Sequence, residues 1–203
     1  MSTTPEVPRV VRRAPPRTVV LFEGRSDSLA FIALARRRSL MIEALELVDL
    51  DGITNLRKTL AALRAESDAP RILGLYDAAE GDYVAKILVD VGVIADGAAP
   101  SAAGFYGCEL DLEDEVIAAA GPELVLDTLA ARGELARFQV FRGQPAQRER
   151  TIDEQLHRFA GTAAGRKARF SADVIDALPL ERMPRPLDDL LDAALQPSDL
   201  PPG

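Results

Sequence analysis

The chain has 203 residues, of which 47% are hydrophobic, and it carries a formal net charge of -8. This length and apolar content suit a single domain with a sizeable core. The acidic balance argues against nucleic-acid binding by overall charge alone, because such binding rests on Lys and Arg neutralising phosphates.

Cys108 is the single cysteine and His157 the single histidine, which excludes an internal disulfide and argues against a Cys/His zinc site. The sequence has neither an apolar run of membrane-spanning length nor the apolar core of a secretory signal near its N-terminus. We therefore expect a soluble, cytoplasmic protein with no membrane partner.

The first 130 residues alternate between predicted strands and predicted helices. Residues 1–16, rich in proline and arginine, have the composition of a disordered tail. Short apolar runs predict strands at 18–24, 44–50, 71–77 and 102–108. Helical patterns occupy 26–38, 53–66, 81–92, 112–121 and 122–133, and Ser26 or Asp27 is the expected cap of the first. This alternation predicts an α/β fold with a mostly parallel sheet flanked by helices.

The remaining third of the chain has a weaker pattern. Residues 134–143 are compatible with a helix that runs into an edge strand, and helices are predicted at 151–161, 166–178 and 187–195. We expect a tail at 1–16, a domain at 17–180 with a helical extension from about 134, and a short helix with a loose tail at 181–203.

Acidic residues follow each predicted strand. Glu23 ends the first strand, with Asp27 four residues later; the other acids are Asp49 and Asp51 after the second, Asp77 after the third, and Glu109, Asp111, Glu113 and Asp114 after the fourth. Ligands of open α/β sheets bind at the carboxyl ends of the strands. Carboxylates gathered there repel one another unless a cation lies between them, and oxygen ligands suit Mg²⁺ or Mn²⁺. Acids at strand ends also cap helices, so each residue alone is ambiguous.

The stretch LVDLDGITN (47–55) offers a different function. Asp49-Leu50-Asp51-Gly52 after an apolar run resembles the nucleophile motif of haloacid-dehalogenase-type phosphatases. In that family the motif strand opens the domain, whereas here another acidic strand precedes it.

That preceding strand carries a second resemblance. TVVLFEGRSD, with Glu23-Gly24 followed by Ser26-Asp27, resembles the first motif of the TOPRIM domain, which topoisomerases, primases and nucleases of the overcoming-lysogenization-defect (OLD) family share. VDLDGITNLRKTLAAL, LGLYDAAEGD, ELDLEDEVIAAAG and GRKARFSADVIDAL resemble later segments of the OLD nucleases, in the same order. The resemblance covers roughly residues 18–180.

The resemblance implies a TOPRIM fold, DNA as partner and substrate, and a Mg²⁺- or Mn²⁺-dependent nuclease. It makes Glu23 a metal ligand and the acid/base, with Asp27 a second acid beside the metals. It makes Asp77 the main ligand, while Glu113 with Asp111 holds a second ion. Lys167 would face the scissile phosphate, and Arg166 is its rival because a slip of one residue exchanges them.

Two departures from the OLD pattern keep other functions open. The Asp-x-Asp motif reads Asp77-Ala78-Ala79, so its second acid is missing. Glu80 would point away if the strand continued, and Asp82 is another candidate replacement. This loss leaves a catalytically degenerate module, which binds nucleic acid or a partner, as the main alternative, with the phosphatase third.

The second departure is that no G-x-x-x-x-G-K-[ST] motif occurs, so any ATP dependence would require a separate ATPase partner. Assembly into a homo-oligomer stays open. We also expect His157 to be a surface residue and Cys108 a small buried one. Four arginines are candidates for lining a nucleic-acid groove: Arg142, Arg148, Arg150 and Arg158.

Overall fold

A computed structural model describes residues 17–196. The expected disordered tail at 1–16 and the loose end of the C-terminal tail, 197–203, lie outside the described residues. Within them, a parallel sheet has the strand order β2-β1-β3-β4. The strands are β1 (Thr18–Phe22), β2 (Leu45–Asp49), β3 (Arg71–Tyr76) and β4 (Phe105–Gly107). The predicted α/β fold with a parallel sheet is confirmed.

The central strand β1 is apolar throughout because both faces of the sheet are covered. Its side chains alternate between two hydrophobic clusters, since successive residues of a strand point to opposite faces. Val20 and Phe22 pack in one cluster with helix α1 (Arg25–Arg37), whereas Val19 and Leu21 pack in the other. That second cluster includes residues of α2 (Leu56–Arg64) and α3 (Gly81–Asp90).

Helices after β4 continue the first cluster. Helix α4 (Leu112–Ala131) is interrupted at Gly121, where φ is 73°, at the boundary expected between two helices. The predicted edge strand after 134 is wrong: residues Leu135–Arg142 form helix α5. Phe138 and Phe141, three residues apart, both pack on Phe159 with ring centroids 5.2 and 5.5 Å away, and this spacing suits a helix face.

Four helices complete the described chain: α6 (Ile152–Ala160), α7 (Ala164–Lys167), α8 (Phe170–Ala177) and α9 (Arg185–Leu195). The helix predicted at 166–178 is therefore two helices, and the first of them is a single turn. No helix within residues 17–196 combines the length and the apolar composition needed to cross a membrane.

Helix α9 is integrated into the core. Leu187, Leu190 and Leu191 are fully buried in the cluster that contains α1 and α8. Two ion pairs link the C-cap of α1 to α9, because Arg38 lies 2.7 Å from Asp188 and 2.7 Å from Asp192.

Candidate metal centre

A cavity of about 530 Å³ opens at the carboxyl ends of the strands. Its lining includes all six residues to which the family resemblance assigned a role: Glu23, Asp27, Asp77, Asp111, Glu113 and Lys167. Parallel strands end at the same edge of a sheet, so residues far apart in sequence converge there.

The turn between β1 and α1 positions the first two acids. Gly24 is the N-cap of α1, and its N–H donates to Asp27 Oδ2 at 3.2 Å. Ser26 Oγ donates to Asp27 Oδ1 at 3.2 Å. The sequence suggested Ser26 or Asp27 as the cap, and neither residue holds that position. Asp27 lies at the third helical position, and its side chain reaches back to the N-cap backbone. Burial raises the pKa of Asp27 to about 6 despite these hydrogen bonds.

Asp77 follows β3, the neighbour of β1, and therefore lies beside Glu23 and Asp27. Burial raises the pKa of Asp77 to about 7, with further contributions from the charges of Asp27 and Glu23. The N–H of Ala78 donates to the carbonyl of Leu110 at 3.0 Å, which joins this turn to the segment before α4.

Ala79, which stands where the motif has its second acid, does not lie on a continuation of strand β3. Strand β3 ends at Tyr76, and Ala78–Glu80 form a 3-10 turn, so strand alternation does not govern Glu80. Ala79 is exposed, whereas Glu80 is half-buried. Burial raises the pKa of Glu23, and the charge of Glu80 is the next largest cause. Glu80 thus adds negative charge close to Glu23.

The N-terminus of α4 supplies two more acids. Asp111 is its N-cap and accepts a hydrogen bond from the Asp114 N–H at 2.8 Å. Glu113 projects into the cavity, and its buried Oε1 has no hydrogen-bond partner among the described residues. Burial raises the pKa of Glu113 to about 7, aided by the charges of Asp27 and Asp111.

His157 belongs to the site, contrary to the expectation of a surface residue. It lines the cavity from α6, and its Nε2 lies 2.8 Å from Asp111 Oδ2 and 3.7 Å from Asp114 Oδ2. Burial lowers the pKa of His157, but the hydrogen bond and charge of Asp111 outweigh it and raise the pKa above its usual value. Nothing local in the sequence indicates this position, since it depends on α6 packing against α4.

Asp111, Asp114 and His157 form a group that could hold a metal ion. One ligand atom from each lies within 4.8 Å of the others. Carboxylate oxygens with one imidazole nitrogen suit Mn²⁺ and related ions as well as zinc. Sequence reasoning found Asp111 and missed its histidine neighbour.

The one-turn helix α7 separates the two candidates for the cationic role. Lys167 lines the cavity, and its side chain makes no hydrogen bond or ion pair with any residue of the described part. Arg166 points elsewhere: its Nε donates to Glu134 Oε2 at 2.9 Å, and its guanidinium lies 3.8 Å from the Phe159 ring centroid. Lys167 therefore lines the cavity, whereas Arg166 does not.

The two acids near the end of β2 differ in whether they line the cavity, although Asp49 is half-buried and Asp51 is exposed. Asp51 lines the cavity, with a positive φ of 54°. Asp49 does not line it and instead lies 3.7 Å from Arg25. Cys108 is buried, as expected, with 3% exposure.

The balance of charge in the cavity is strongly negative. Six carboxylate residues line it, against two permanent cations, Arg25 and Lys167. The raised pKa values of Asp27, Asp77 and Glu113 have burial and mutual repulsion as their causes. Such a cluster is suited to a bound divalent cation, which would offset both the cost of burying these charges and their mutual repulsion.

Comparison with known proteins identifies relatives of the fold. The sequence matches no protein-family profile and no curated protein. The structure resembles the C-terminal region of the Burkholderia pseudomallei OLD protein, with a TM-score of 0.60 and 14% identity over 88% of this chain and 96% of that one. It also resembles the C-terminal region of the Xanthomonas campestris pv. campestris OLD protein, with a TM-score of 0.59 and 20% identity over the same shares of the two chains. The chain therefore has the fold of the C-terminal region of OLD proteins, as its motifs indicated.

Proposed function

We propose that this chain is a metal-dependent phosphodiesterase that cleaves DNA in the cytoplasm. The observation that carries the proposal is the convergence of carboxylates from four strand ends around Lys167 in one cavity. The likeness of the fold to OLD C-terminal regions supports the same function. Any requirement for ATP would be met by a separate ATPase partner.

The side chains of the cavity fit a hard divalent cation such as Mg²⁺ or Mn²⁺. Glu113 supports this fit most directly, because its buried Oε1 lacks a partner that a metal ion would supply. Asp77, Glu23 and Asp27 would hold one ion, and Glu113 with Asp111 a second. A bound ion of this kind supplies charge neutralisation at the phosphate and a more acidic water.

The protein's own groups would then perform the remaining tasks. Glu23 would accept the proton of the attacking water, because it lies in the cavity among the residues that would hold the ion. Lys167 would stabilise negative charge that develops on the phosphate oxygens. Its side chain has no described partner to compete for it.

A catalytically degenerate module that binds nucleic acid or a partner is the second candidate. The observation that favours it is the exposed methyl group of Ala79, which supplies no carboxylate. Glu80 opposes it through its charge, which acts on Glu23, although its side chain does not line the cavity. The two candidates differ in the expected affinity for divalent cations.

Calorimetric titration with Mn²⁺ and Mg²⁺ separates these two candidates. We expect the wild-type protein to bind Mn²⁺, and Asp77→Asn and Glu113→Gln each to weaken binding at least about tenfold. Glu43→Gln, which changes an exposed acid outside the cavity, is the matched control and should bind as wild type does. Absence of binding by the folded wild-type protein would favour the degenerate module.

Cleavage of supercoiled and linear DNA with either ion tests catalysis itself. We expect Glu23→Gln to abolish nicking and degradation while the protein stays folded. The phosphatase alternative predicts a different result: turnover of a small phosphomonoester that Asp49→Asn abolishes and Glu23→Gln does not. Asp49 does not line the cavity and pairs with Arg25, which argues against that alternative.

A further inference from the structure

A second depression lies on the other side of helix α7 from the carboxylate cavity. It has a volume of about 660 Å³. We name it the arginine groove after the four arginines in its lining: Arg132, Arg137, Arg166 and Arg169. They come from the C-terminal end of α4, from α5, and from the segment around α7 and α8.

The arginine groove is basic in an otherwise acidic protein. Its lining contains two carboxylates, Glu134 and Asp173, so its arginines outnumber its acids. The whole chain, by contrast, has a net charge of -8. A local concentration of positive charge of this kind attracts anions irrespective of the overall charge.

The arginines have two different roles in the groove. Arg166 is fixed: its side chain is 12% exposed, it forms an ion pair with Glu134, and its Nη1 donates to the Phe159 carbonyl at 3.1 Å. Arg132 and Arg137 have side chains 53% and 70% exposed, and each forms one ion pair. Arg132 pairs with Asp173 of α8, and Arg137 pairs with Glu134, three residues earlier in the chain.

Arg169 is exposed, and its side chain makes no hydrogen bond or ion pair within residues 17–196. Exposed ion pairs such as those of Arg132 and Arg137 contribute only about 0–1 kcal/mol each. These three arginines can therefore turn to a phosphate at little cost, and a guanidinium can bind a phosphate through two parallel hydrogen bonds.

The position of the groove beside the cavity indicates its ligand. Lys167 lines the carboxylate cavity, while its immediate neighbour Arg166 lines the arginine groove. A linear polyanion with one phosphate in the cavity would extend its next phosphates across α7. A chain of phosphates gains from both sites at once, whereas a lone phosphate occupies one of them.

We propose that the arginine groove binds the phosphodiester backbone of the DNA on one side of the cleavage point. The proposal rests on the proposed function and extends it: the groove makes the enzyme prefer polynucleotides to small phosphodiesters. The proposal also explains how an acidic protein can bind DNA. The groove would attract the phosphodiester backbone next to a cavity whose carboxylates would otherwise repel it.

Fluorescence anisotropy with a labelled duplex DNA tests the groove independently of cleavage. We expect Arg169→Glu and Arg132→Glu each to weaken binding several-fold and to reduce the slope of log affinity against log salt by about one. The matched controls are Arg182→Glu, an exposed arginine outside the groove, and Arg57→Glu, which like Arg132 pairs with one aspartate. Thermal unfolding shows whether each variant is folded.

Several outcomes would contradict the proposal that the arginine groove binds the DNA backbone. Equal losses in groove and control variants would show that only overall charge matters. Competition by inorganic phosphate as effective as that by unlabelled duplex would indicate a single-anion pocket. Hydrolysis of a small phosphodiester that falls as much as DNA cleavage in Arg169→Glu would also contradict it.

Failure of the proposed function has a separate signature. In that case the wild-type protein would neither bind Mn²⁺ nor cleave DNA, while the loss of DNA binding in Arg169→Glu relative to Arg182→Glu would still be measured. Retained hydrolysis of the small phosphodiester, with weakened binding and cleavage of DNA, is the result that supports both proposals.

Discussion

At the scale of single residues, the neighbours Arg166 and Lys167 have different surroundings, and we expect a structural role for Arg166 and a chemical one for Lys167. We expect Lys167→Ala to reduce DNA cleavage by about a hundredfold or more, because stabilisation of developing charge is lost. Its unfolding temperature should fall only slightly, because Lys167 makes no hydrogen bond or ion pair among the described residues and only its attraction for Glu23 and Glu113 is lost. It should also bind Mn²⁺ more tightly, because one positive charge leaves the cavity.

Arg166→Ala is the matched comparison and should show the opposite pattern. This change removes the ion pair with Glu134 and the contact with the Phe159 ring. We expect the free energy of unfolding to fall by about 1–3 kcal/mol. Affinity for Mn²⁺ should stay close to that of wild type. An equal loss of stability in Arg166→Ala and Lys167→Ala, or full DNA cleavage by Lys167→Ala, would contradict these two different roles.

The sequence singled out both residues but could not choose between them. A shift of one residue in the alignment exchanges Arg166 and Lys167, and helix periodicity does not resolve a single turn. The choice depends on where Glu134 and Phe159 lie, and these belong to the segment before α5 and to α6, respectively.

At the scale of elements, α9 is the clearest case of packing that its sequence understates. Leu190 is fully buried, whereas Leu180 shortly before α9 is 46% exposed. We expect Leu190→Ala to lower the free energy of unfolding by about 2–5 kcal/mol, because it leaves a cavity in the core. Leu180→Ala should change it by less than about 0.5 kcal/mol. Urea denaturation of both variants measures the difference, and equal midpoints would show that α9 is dispensable.

Elements governed by local chemistry agree with their sequence patterns. Thr151 and Glu154 form a capping box at the start of α6, and Gly121 interrupts α4 at the predicted boundary. Elements whose state depends on tertiary contacts do not. Residues after 134 have no decisive local signal, and the aromatic contacts with Phe159 favour a helix there.

At the scale of the whole molecule, the buried acids link stability to pH. The pKa values of Asp77 and Glu113 are raised to about 7, so the folded state holds protons that the unfolded state releases near pH 4. The free energy of unfolding of the metal-free protein should therefore fall as pH rises from about 4 to about 7. Thermal unfolding in EDTA across this range measures the effect.

Two comparisons assign this pH dependence to the cavity. Asp77→Asn should flatten it and raise stability at about pH 8, because one repelling charge is removed. Mn²⁺ should restore stability to the wild-type protein at the same pH by binding the deprotonated carboxylates. The raised pKa values would be contradicted if the free energy of unfolding of the wild-type protein, relative to that of Asp77→Asn, increased as pH rises over the same range.

The sequence by itself determined the α/β alternation and the acids at the strand ends. Both are local: hydrophobic periodicity defines the strands, and Glu23 and Asp77 follow them directly. The tertiary structure decided the partners of those acids. It brought His157 to Asp111, turned Lys167 into the cavity and Arg166 away, ended β3 before Glu80, and gathered four arginines beside α7. These contacts join helices far apart in the chain, and helix packing follows from the shape of the whole core, which no local pattern encodes.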